Sequence, residues 1–407
     1  MKPLGPIPDR FSSNERGELI IGGRAISDLV EAAGSTPLFV YDRHMVTAQV
    51  ARFRAAFPAD VSLHYAVKAN PYAPLLAELA KLVDGFDLAS IGEWEKVRDL
   101  GLPVSFAGPG KDDRALQTAI RAGLTINVES EGEADRIGRI ARDDDARPRV
   151  AVRVNPPFGL KGSGMKMGGL ASQFGVDHDR VPELVRSLQG AGAEWHGLHI
   201  YAGSQSLSAD AIIELQQATI DLAAEIASDV GAAPPTINLG GGFGIPYFDR
   251  DQPLDVETIG TALQKALENR PNPLVGSKFA IELGRWLVGE GGVYLTRIVD
   301  RKVSRGKAFL VTDGGLQHML AASGNFGQLL RRNYPVAIAN RMGGADEVEE
   351  QTIVGCLCTP LDLLSDEAVL PRAAEGDIVA IFCAGAYGLS ASPQAFLSQP
   401  EAHEILV

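Results

Sequence analysis

From about residue 61 to residue 283, short runs rich in apolar and β-branched residues alternate with longer stretches of helical periodicity. Eight such runs stand out: SLHYAV, GFDLAS, VSFAG, TINVES, RVAVRVN, GLHIYAG, TINLGG and KFAIELG. Amphipathic segments such as APLLAELAKLV and AIIELQQATIDLAAEIAS lie between several of them. Strands separated by helices predict parallel β/α units, and eight units predict a closed TIM-type (β/α)8 barrel in preference to an open sheet.

After Arg285 the pattern changes. VGEGGVYLTRIVDRKV, KAFLVTDGG, QTIVGCLC and GDIVAIFCAG are β-rich and no long helix separates them, which predicts a C-terminal all-β domain. The division expected is an α/β barrel over residues 36–283 and a β-domain over 284–407. Residues 1–35 carry their own short strand candidate, GELIIGG, able to pack with either module and assigned to the β-domain. The length of 407 residues suits a barrel of roughly 250 residues plus a module of about 100.

Composition narrows the function classes. Apolar residues make up 45% of the chain, yet no uninterrupted apolar run reaches the ~18 positions of a membrane span. The opening MKPLGPIPDRFSSNERGELIIGG has Pro, Asp and Glu where a secretory signal needs an apolar stretch, so a cytoplasmic protein is expected. A formal net charge of −13 argues against a nucleic-acid partner. Cys356, Cys358 and Cys383 are too few and too clustered for a disulfide framework, and no His or Cys group completes a metal site around Cys-x-Cys. Reduced thiols and no metal are the expectation.

In a β/α barrel, chemistry sits at the C-terminal ends of the strands. Lys68 closes HYAVKAN and brings an amine to the barrel mouth. It is a candidate Schiff-base nucleophile, because partial burial frees the neutral amine; a lysine snorkelling from a strand end is the plain alternative. The second strand supplies Asp87, and the sixth supplies His199, Tyr201 and Ser204. His199 and Tyr201, two apart on a strand, share one face. An aromatic ring there can stack on a flat cofactor and Ser204 can bond a phosphate, against the alternative of a core aromatic and a loop serine. Gly240, Gly241, Gly242 and Gly244 let backbone N–H groups approach an anion, although a tight structural turn would use them too. They are not a dinucleotide fingerprint, which would need glycine in place of Ile245. The eighth strand ends in Glu282-Leu283-Gly284-Arg285, with a guanidinium suited to phosphate and a carboxylate suited to a protonated ring nitrogen, unless the two form a plain surface ion pair. One amine, a glycine cradle, a serine, an arginine and a carboxylate at a common rim together match the needs of pyridoxal 5'-phosphate.

These residues resemble the fold-type III pyridoxal-phosphate decarboxylases, the family of diaminopimelate, ornithine and arginine decarboxylases with an alanine-racemase-like barrel. YAVKAN, GLHIYAGSQ, NLGGGFG, ELGR, GCLCTPLD and GAYG carry the resemblance, in the family's order and approximate spacing over nearly the whole chain. It implies that Lys68 carries the cofactor with Asp87 close by. Ser204, Gly241, Gly242, Gly284, Arg285 and Tyr387 would then hold the phosphate, and Glu282 would face the ring nitrogen. A carboxylate at that nitrogen favours decarboxylation over the racemase chemistry associated with arginine. The resemblance also implies that Cys358 returns a proton to the substrate carbon from a partner subunit, hence a homodimer with active sites at the interface. A non-catalytic pyridoxal-phosphate binder of the same barrel type is the rival of another class, and the long C-terminal domain speaks against it.

Two positions depart from the family pattern. Tyr201 stands where the family's stacking histidine is expected, so either Tyr201 or His199 takes that role. Thr359 stands directly after Cys358, where diaminopimelate and ornithine decarboxylases place Glu or Asp to bind a distal ammonium. Losing such a charge-assisted bond costs about 1.5–3 kcal/mol. The segment FGLKGSGMKMGGLASQFGVD, with Lys161 and Lys166, and the run CTPLDLL, with Thr359 and Asp362 as candidate substrate contacts, resemble a branch acting on glutamyl groups carried by an acyl carrier protein. Diaminopimelate decarboxylation is the alternative within the family. Arg331 and Arg332 in LLRRNYP are candidates for reading the substrate's carboxylate or thioester end.

Overall fold

The computed structural model describes residues 1–160, 165–166, 168–326, 328, 330–344 and 347–407, and of 165 and 166 only the backbone. Lys161 and the side chain of Lys166 therefore lie outside the described residues. The chain divides into two compact units, one of residues 50–244 and 253–284, the other of 1–49, 245–252 and 285–407.

The first unit is the barrel. Its strands are Val61–Ala66, Gly85–Leu88, Val104–Phe106, Thr125–Val128, Arg149–Asn155, Glu194–Ile200, Thr236–Asn238 and Lys278–Leu283, one within each of the eight runs singled out by pattern. Every neighbouring pair is parallel, and the eighth strand pairs with the first, which closes the sheet. Leu63, Tyr65, Phe86, Ile126, Val150, Val152, Ile237 and Ile281 are all fully buried. By alternation they sit on the face opposite His64, Asp87, His199 and Glu282, so they pack outward against the helices. Burying side chains of this size contributes roughly 1.5–3 kcal/mol each before chain entropy is charged against it.

Local sequence signals set where each helix begins, and so how each strand end is presented. Ser90 Oγ accepts the N–H of Glu93, while the Glu93 carboxylate accepts the N–H of Ala89. The same S-x-x-E arrangement recurs at Ser130 and Glu133, whose carboxylate accepts the N–H of Glu129. Ser208 caps the long helix Ala209–Val230, which stops at the left-handed Gly231.

The second unit is mostly sheet. The long strand Gly292–Ser304 pairs with Lys307–Thr312, with Ile378–Ile381 and with Leu38–Tyr41. Val348–Val354 and Leu363–Pro371 extend it, and His403–Leu406 adds parallel to Leu38–Tyr41. Leu19, Ile21, Leu29, Leu38, Val40, Val293, Leu295, Ala380 and Phe382 form its buried core. The expected boundary at residue 36 differs from this division: LFVY at 38–41 belongs to the β-domain sheet, because its backbone partners are Leu295 to Gly292. Among the described residues no helix is long and apolar enough to cross a membrane.

Candidate active site

The inner wall of the barrel is polar, and strand register explains which residues meet there. In a parallel sheet, residues in register project to the same face. Glu282 is in register with His64 and His64 with Gly85, while Asp87 aligns with Ser105. His199 aligns with both Arg153 and Asn238. Side-chain bonds join these sets on one inner surface: His199 Nε2 lies 2.8 Å from a Glu282 carboxylate oxygen, and Asn238 Nδ2 donates to the same oxygen at 3.3 Å. All three side chains are buried. Burial alone would push the Glu282 carboxyl up; the charge and hydrogen bond of His199, with the Lys68 and Arg153 charges behind them, hold it well below the usual carboxylate range.

Lys68 sits in the single turn Val67–Ala69 that follows the first strand, and its side chain is exposed. Its Nζ lies 5.4 Å from the centroid of the Tyr201 ring. Of the two residues competing for the stacking position, then, His199 is committed to Glu282 and Tyr201 presents its face to the amine. Asp87 is buried on the neighbouring strand, and neither of its oxygens has a hydrogen-bond partner among the described residues. Arg153 Nη1 donates to Glu129 at 3.0 Å, and its guanidinium stacks over Phe174 at 4.8 Å.

Three backbone segments close on one another beside these side chains. Gly242 has φ +80°, and a Cβ on it would stand 2.5 Å from the carbonyl oxygen of Gly203. A Cβ on Gly241 would collide with the Glu282 carbonyl, and one on Gly284 would lie 2.8 Å from Ala69 Cβ. Gly203 and Ser204 pair in turn with Lys166 and Met165. The Ser204 turn, the glycine turn and the end of the eighth strand are thus packed at distances only glycine allows, leaving a backbone cradle next to Lys68, Tyr201 and Glu282.

In the β-domain unit, Arg285 Nη1 donates to the Tyr247 hydroxyl at 2.9 Å and its guanidinium lies 4.6 Å from the Tyr387 ring centroid. Tyr334 packs on Tyr247 at 4.8 Å. Burial opposes the arginine's charge, but the surrounding tyrosines outweigh it and raise its pKa further. Tyr387 adopts φ 53°, a left-handed conformation that costs a non-glycine residue about 1–2 kcal/mol, and places its ring over this guanidinium.

Of the three thiols, Cys358 is the exposed one. Its neighbour Thr359 uses its hydroxyl to accept the N–H of Leu361 at 3.3 Å. Asp362 departs from its expected role as a substrate contact. It is 3% exposed, and its oxygens accept the N–H groups of Leu316 at 2.7 Å and Leu357 at 2.8 Å. Gly315 and Gly355 have no room for a Cβ because the same carboxylate occupies that space. Asp362 thus fastens the turn that carries Cys358 and Thr359. Arg331, similarly, donates to the Leu363 carbonyl, whereas Arg332 stacks over Phe248 at 3.7 Å.

Sequence reading missed His64, Asn238, Arg153 and Tyr247. Alternation along each strand places the first three on the same face as Asp87, His199 and Glu282, a signal available once those were chosen. Tyr247 lies three residues beyond the glycine cluster in GFGIPY, with no periodic signal of its own.

Residues 43–289 match the family described as pyridoxal-dependent decarboxylase, pyridoxal binding domain. The L-glutamyl-(BtrI acyl-carrier protein) decarboxylase of Niallia circulans is 36% identical over 91% of this chain and 88% of its own. The diaminopimelate decarboxylase of Methanothermobacter thermautotrophicus is 30% identical over 97% of this chain and 91% of its own. Among solved structures, diaminopimelate decarboxylase from Helicobacter pylori complexed with L-lysine superposes with a TM-score of 0.82 at 26% identity, covering 94% of each chain. The lysine, carboxylate, aromatic face and glycine-only cradle of the barrel fit pyridoxal phosphate.

Proposed function

The chain belongs to the pyridoxal-dependent decarboxylases, and from that premise we propose that its substrate is a glutamyl-type aminoacyl group carried on an acyl carrier protein. The observation that carries the proposal is Thr359, a neutral side chain beside the exposed Cys358. A free diamino acid brings a distal ammonium to that place, and a hydroxyl gives it no countercharge. A tethered substrate has a neutral thioester there. The similarity to the carrier-protein decarboxylase of Niallia circulans supports the same reading.

Bound pyridoxal phosphate supplies the electron sink for the pair left when CO2 departs. The residues of the chain then have separable tasks. Lys68 Nζ would anchor the cofactor at the barrel mouth. Glu282, kept ionised by His199, would accept a hydrogen bond from the protonated ring nitrogen and so keep the proton on that nitrogen. Tyr201 would cover one face of the ring. Ser204, Gly241, Gly242 and Gly284 would hold the phosphate, a role the family resemblance also assigns to Arg285 and Tyr387. Asp87 stands by the amine as a second carboxylate. Arg332 is the candidate for reading the thioester end of the tethered substrate. Cys358 Sγ delivers the proton to the carbon that lost CO2.

Cys358 acts on a second copy of the chain in this proposal. In the β-domain unit, Phe326 is 42%, Leu330 81% and Leu361 59% exposed, apolar surface that a homodimer would cover. Three free thiols support a reducing, cytoplasmic setting.

The test is CO2 release by the pure, pyridoxal-phosphate-loaded protein from glutamyl-carrier protein, free glutamate and diaminopimelate, with Lys68→Ala as the control that loses the bound cofactor's visible absorbance. Release confined to the carrier substrate supports the proposal. Release from diaminopimelate at an equal rate favours the second reading, a diaminopimelate decarboxylase, to which relatives of that name lend weight.

A further inference from the structure

A row of alternating acids and imidazoles crosses the inner wall of the barrel: Asp87 on the second strand, His64 on the first, Glu282 on the eighth and His199 on the sixth. His199 and Glu282 have each other. His64 and Asp87 have no role so far assigned to their contact. We propose that His64 is a positioning residue, an imidazolium held on the barrel wall between Asp87 and Glu282 that fixes the Asp87 carboxylate in place on the strand next to the one that ends at Lys68. The proposal rests on the reading that these carboxylates serve a cofactor anchored at Lys68.

Geometry carries it. His64 Nδ1 lies 3.5 Å from Asp87 Oδ2, with the two side chains 19% and 7% exposed. Among the described residues that nitrogen and both Asp87 oxygens have no well-formed hydrogen bond, so each is the other's nearest polar complement. A carboxylate buried without hydrogen bonds is costly and goes neutral unless a cation faces it. The chain has made room for this cation: Gly85 is in register beside His64, and a Cβ there would stand 3.1 Å from the ring's Nε2. A Cβ at 85 would also stand 3.0 Å from the Pro103 carbonyl oxygen, so a larger residue there would press on both the backbone and the imidazole.

Three carboxylates act on His64. They are Asp87 and Glu282 on the flanking strands and Asp84 on the turn entering the second strand. Asp84 is already occupied by Arg54 at 2.8 Å and by the N–H of Leu63 at 2.7 Å, and Glu282 by His199 at 2.8 Å, which leaves Asp87 as the group His64 serves. Burial disfavours the imidazolium, yet the close approach and charge of Asp87, then Glu282 and Asp84, prevail and raise its pKa above the ordinary histidine value. The sign of the linkage follows. The pair's contribution to the stability of the cofactor-free chain is complete below the ordinary value of 6.5 and is lost as pH rises through the higher folded-state value.

The experiment is a pH titration of the full-length chain labelled with 13C in its histidine rings, with His64→Gln identifying the signal. It is run first without pyridoxal phosphate, so that it does not depend on the reading of the cofactor site. The expected signal titrates above the ordinary histidine range in the wild type and drops by about one unit in Asp87→Asn. A signal at or below the ordinary range, or one that Asp87→Asn leaves unmoved, overturns the proposal. Equilibrium dialysis then measures retention of pyridoxal phosphate, with about tenfold weaker binding expected in both His64→Gln and Asp87→Asn. Unchanged retention in these variants overturns the positioning role. Retention unchanged in Lys68→Ala, by contrast, overturns the reading of the cofactor site while leaving the titration result in force.

Discussion

Replacing His199 by alanine isolates the interaction on which Glu282 depends. The pair is buried, with side chains 3% and 5% exposed, and the contact is 2.8 Å. Removing one partner of a buried pair costs about 3–5 kcal/mol, because the remaining charge is left without compensation. Here Asn238 stays 3.3 Å from the same oxygen. The Lys68 and Arg153 charges also stay nearby, so the lower end, about 3 kcal/mol, is expected. The pH dependence has a defined sign. Glu282 is held below its ordinary range in the folded chain, so the pair's stabilisation is present above that range and lost as pH falls. In His199→Ala the Glu282 carboxyl rises, and the gap in stability between wild type and variant, full at neutral pH, narrows under acid. Urea unfolding of the cofactor-free chain at several pH values measures this gap. A double-mutant cycle with Glu282→Gln completes the assay and should give a coupling of about 2 kcal/mol. A single-variant cost below about 1 kcal/mol, a gap that does not change with pH, or additive variants would refute the reasoning.

Three further outcomes are expected. Gly242→Ala, forced to φ +80° with its Cβ 2.5 Å from the Gly203 carbonyl, should lose about 1–3 kcal/mol of stability and most cofactor retention, read by thermal melts with and without pyridoxal phosphate. Asp362→Ala leaves the N–H groups of Leu316 and Leu357 unpaired; it should cost on the order of 2–4 kcal/mol in urea and slow decarboxylation through the loosened Cys358 turn. Thr359→Asp restores a countercharge and should raise the turnover of free diaminopimelate relative to the carrier substrate by about tenfold, followed as CO2 release.

The barrel was legible because each of its strands is a compact apolar run between turn and helix signals, and because parallel pairing repeats one local unit. The strand Leu38–Tyr41 shows where that logic ends. LFVY is apolar throughout, as a central strand of either module would be, and its partner Gly292–Ser304 lies about 250 residues away in sequence, so nothing local distinguishes the two. The site divides in the same manner. Lys68, Glu282 and the glycines announce themselves by type and by position at strand ends. Asp362 has the same outward appearance as a binding carboxylate, and only the folded turn reveals that backbone amides consume it. His64 was hidden for a different reason: its meaning depends on the glycine in register at position 85 and on Asp87 two residues further along, a relation across strands that a one-dimensional pattern does not contain.

The inner wall also explains how a barrel can hold so much charge without losing its stability. His199 with Glu282 and Arg153 with Glu129 are buried pairs there, and Lys111 in the loop after the third strand makes another with Glu133 at a helix start, at 2.9 Å and with Lys111 only 1% exposed. Such pairs add little net stability, since desolvation cancels most of their attraction, but each partner becomes indispensable to the other. The stabilising burial must come from elsewhere, and it comes from the outward faces of the same strands, where Leu63, Phe86, Ile126, Val152, Ile237 and Ile281 are fully enclosed by the helices. Each strand thus separates two tasks by its alternation, apolar packing on one face and cofactor chemistry on the other. A substitution on the outer face should therefore change stability with little effect on the chemistry, while one on the inner face should disturb both together, because the groups placed for the cofactor also compensate one another for being buried.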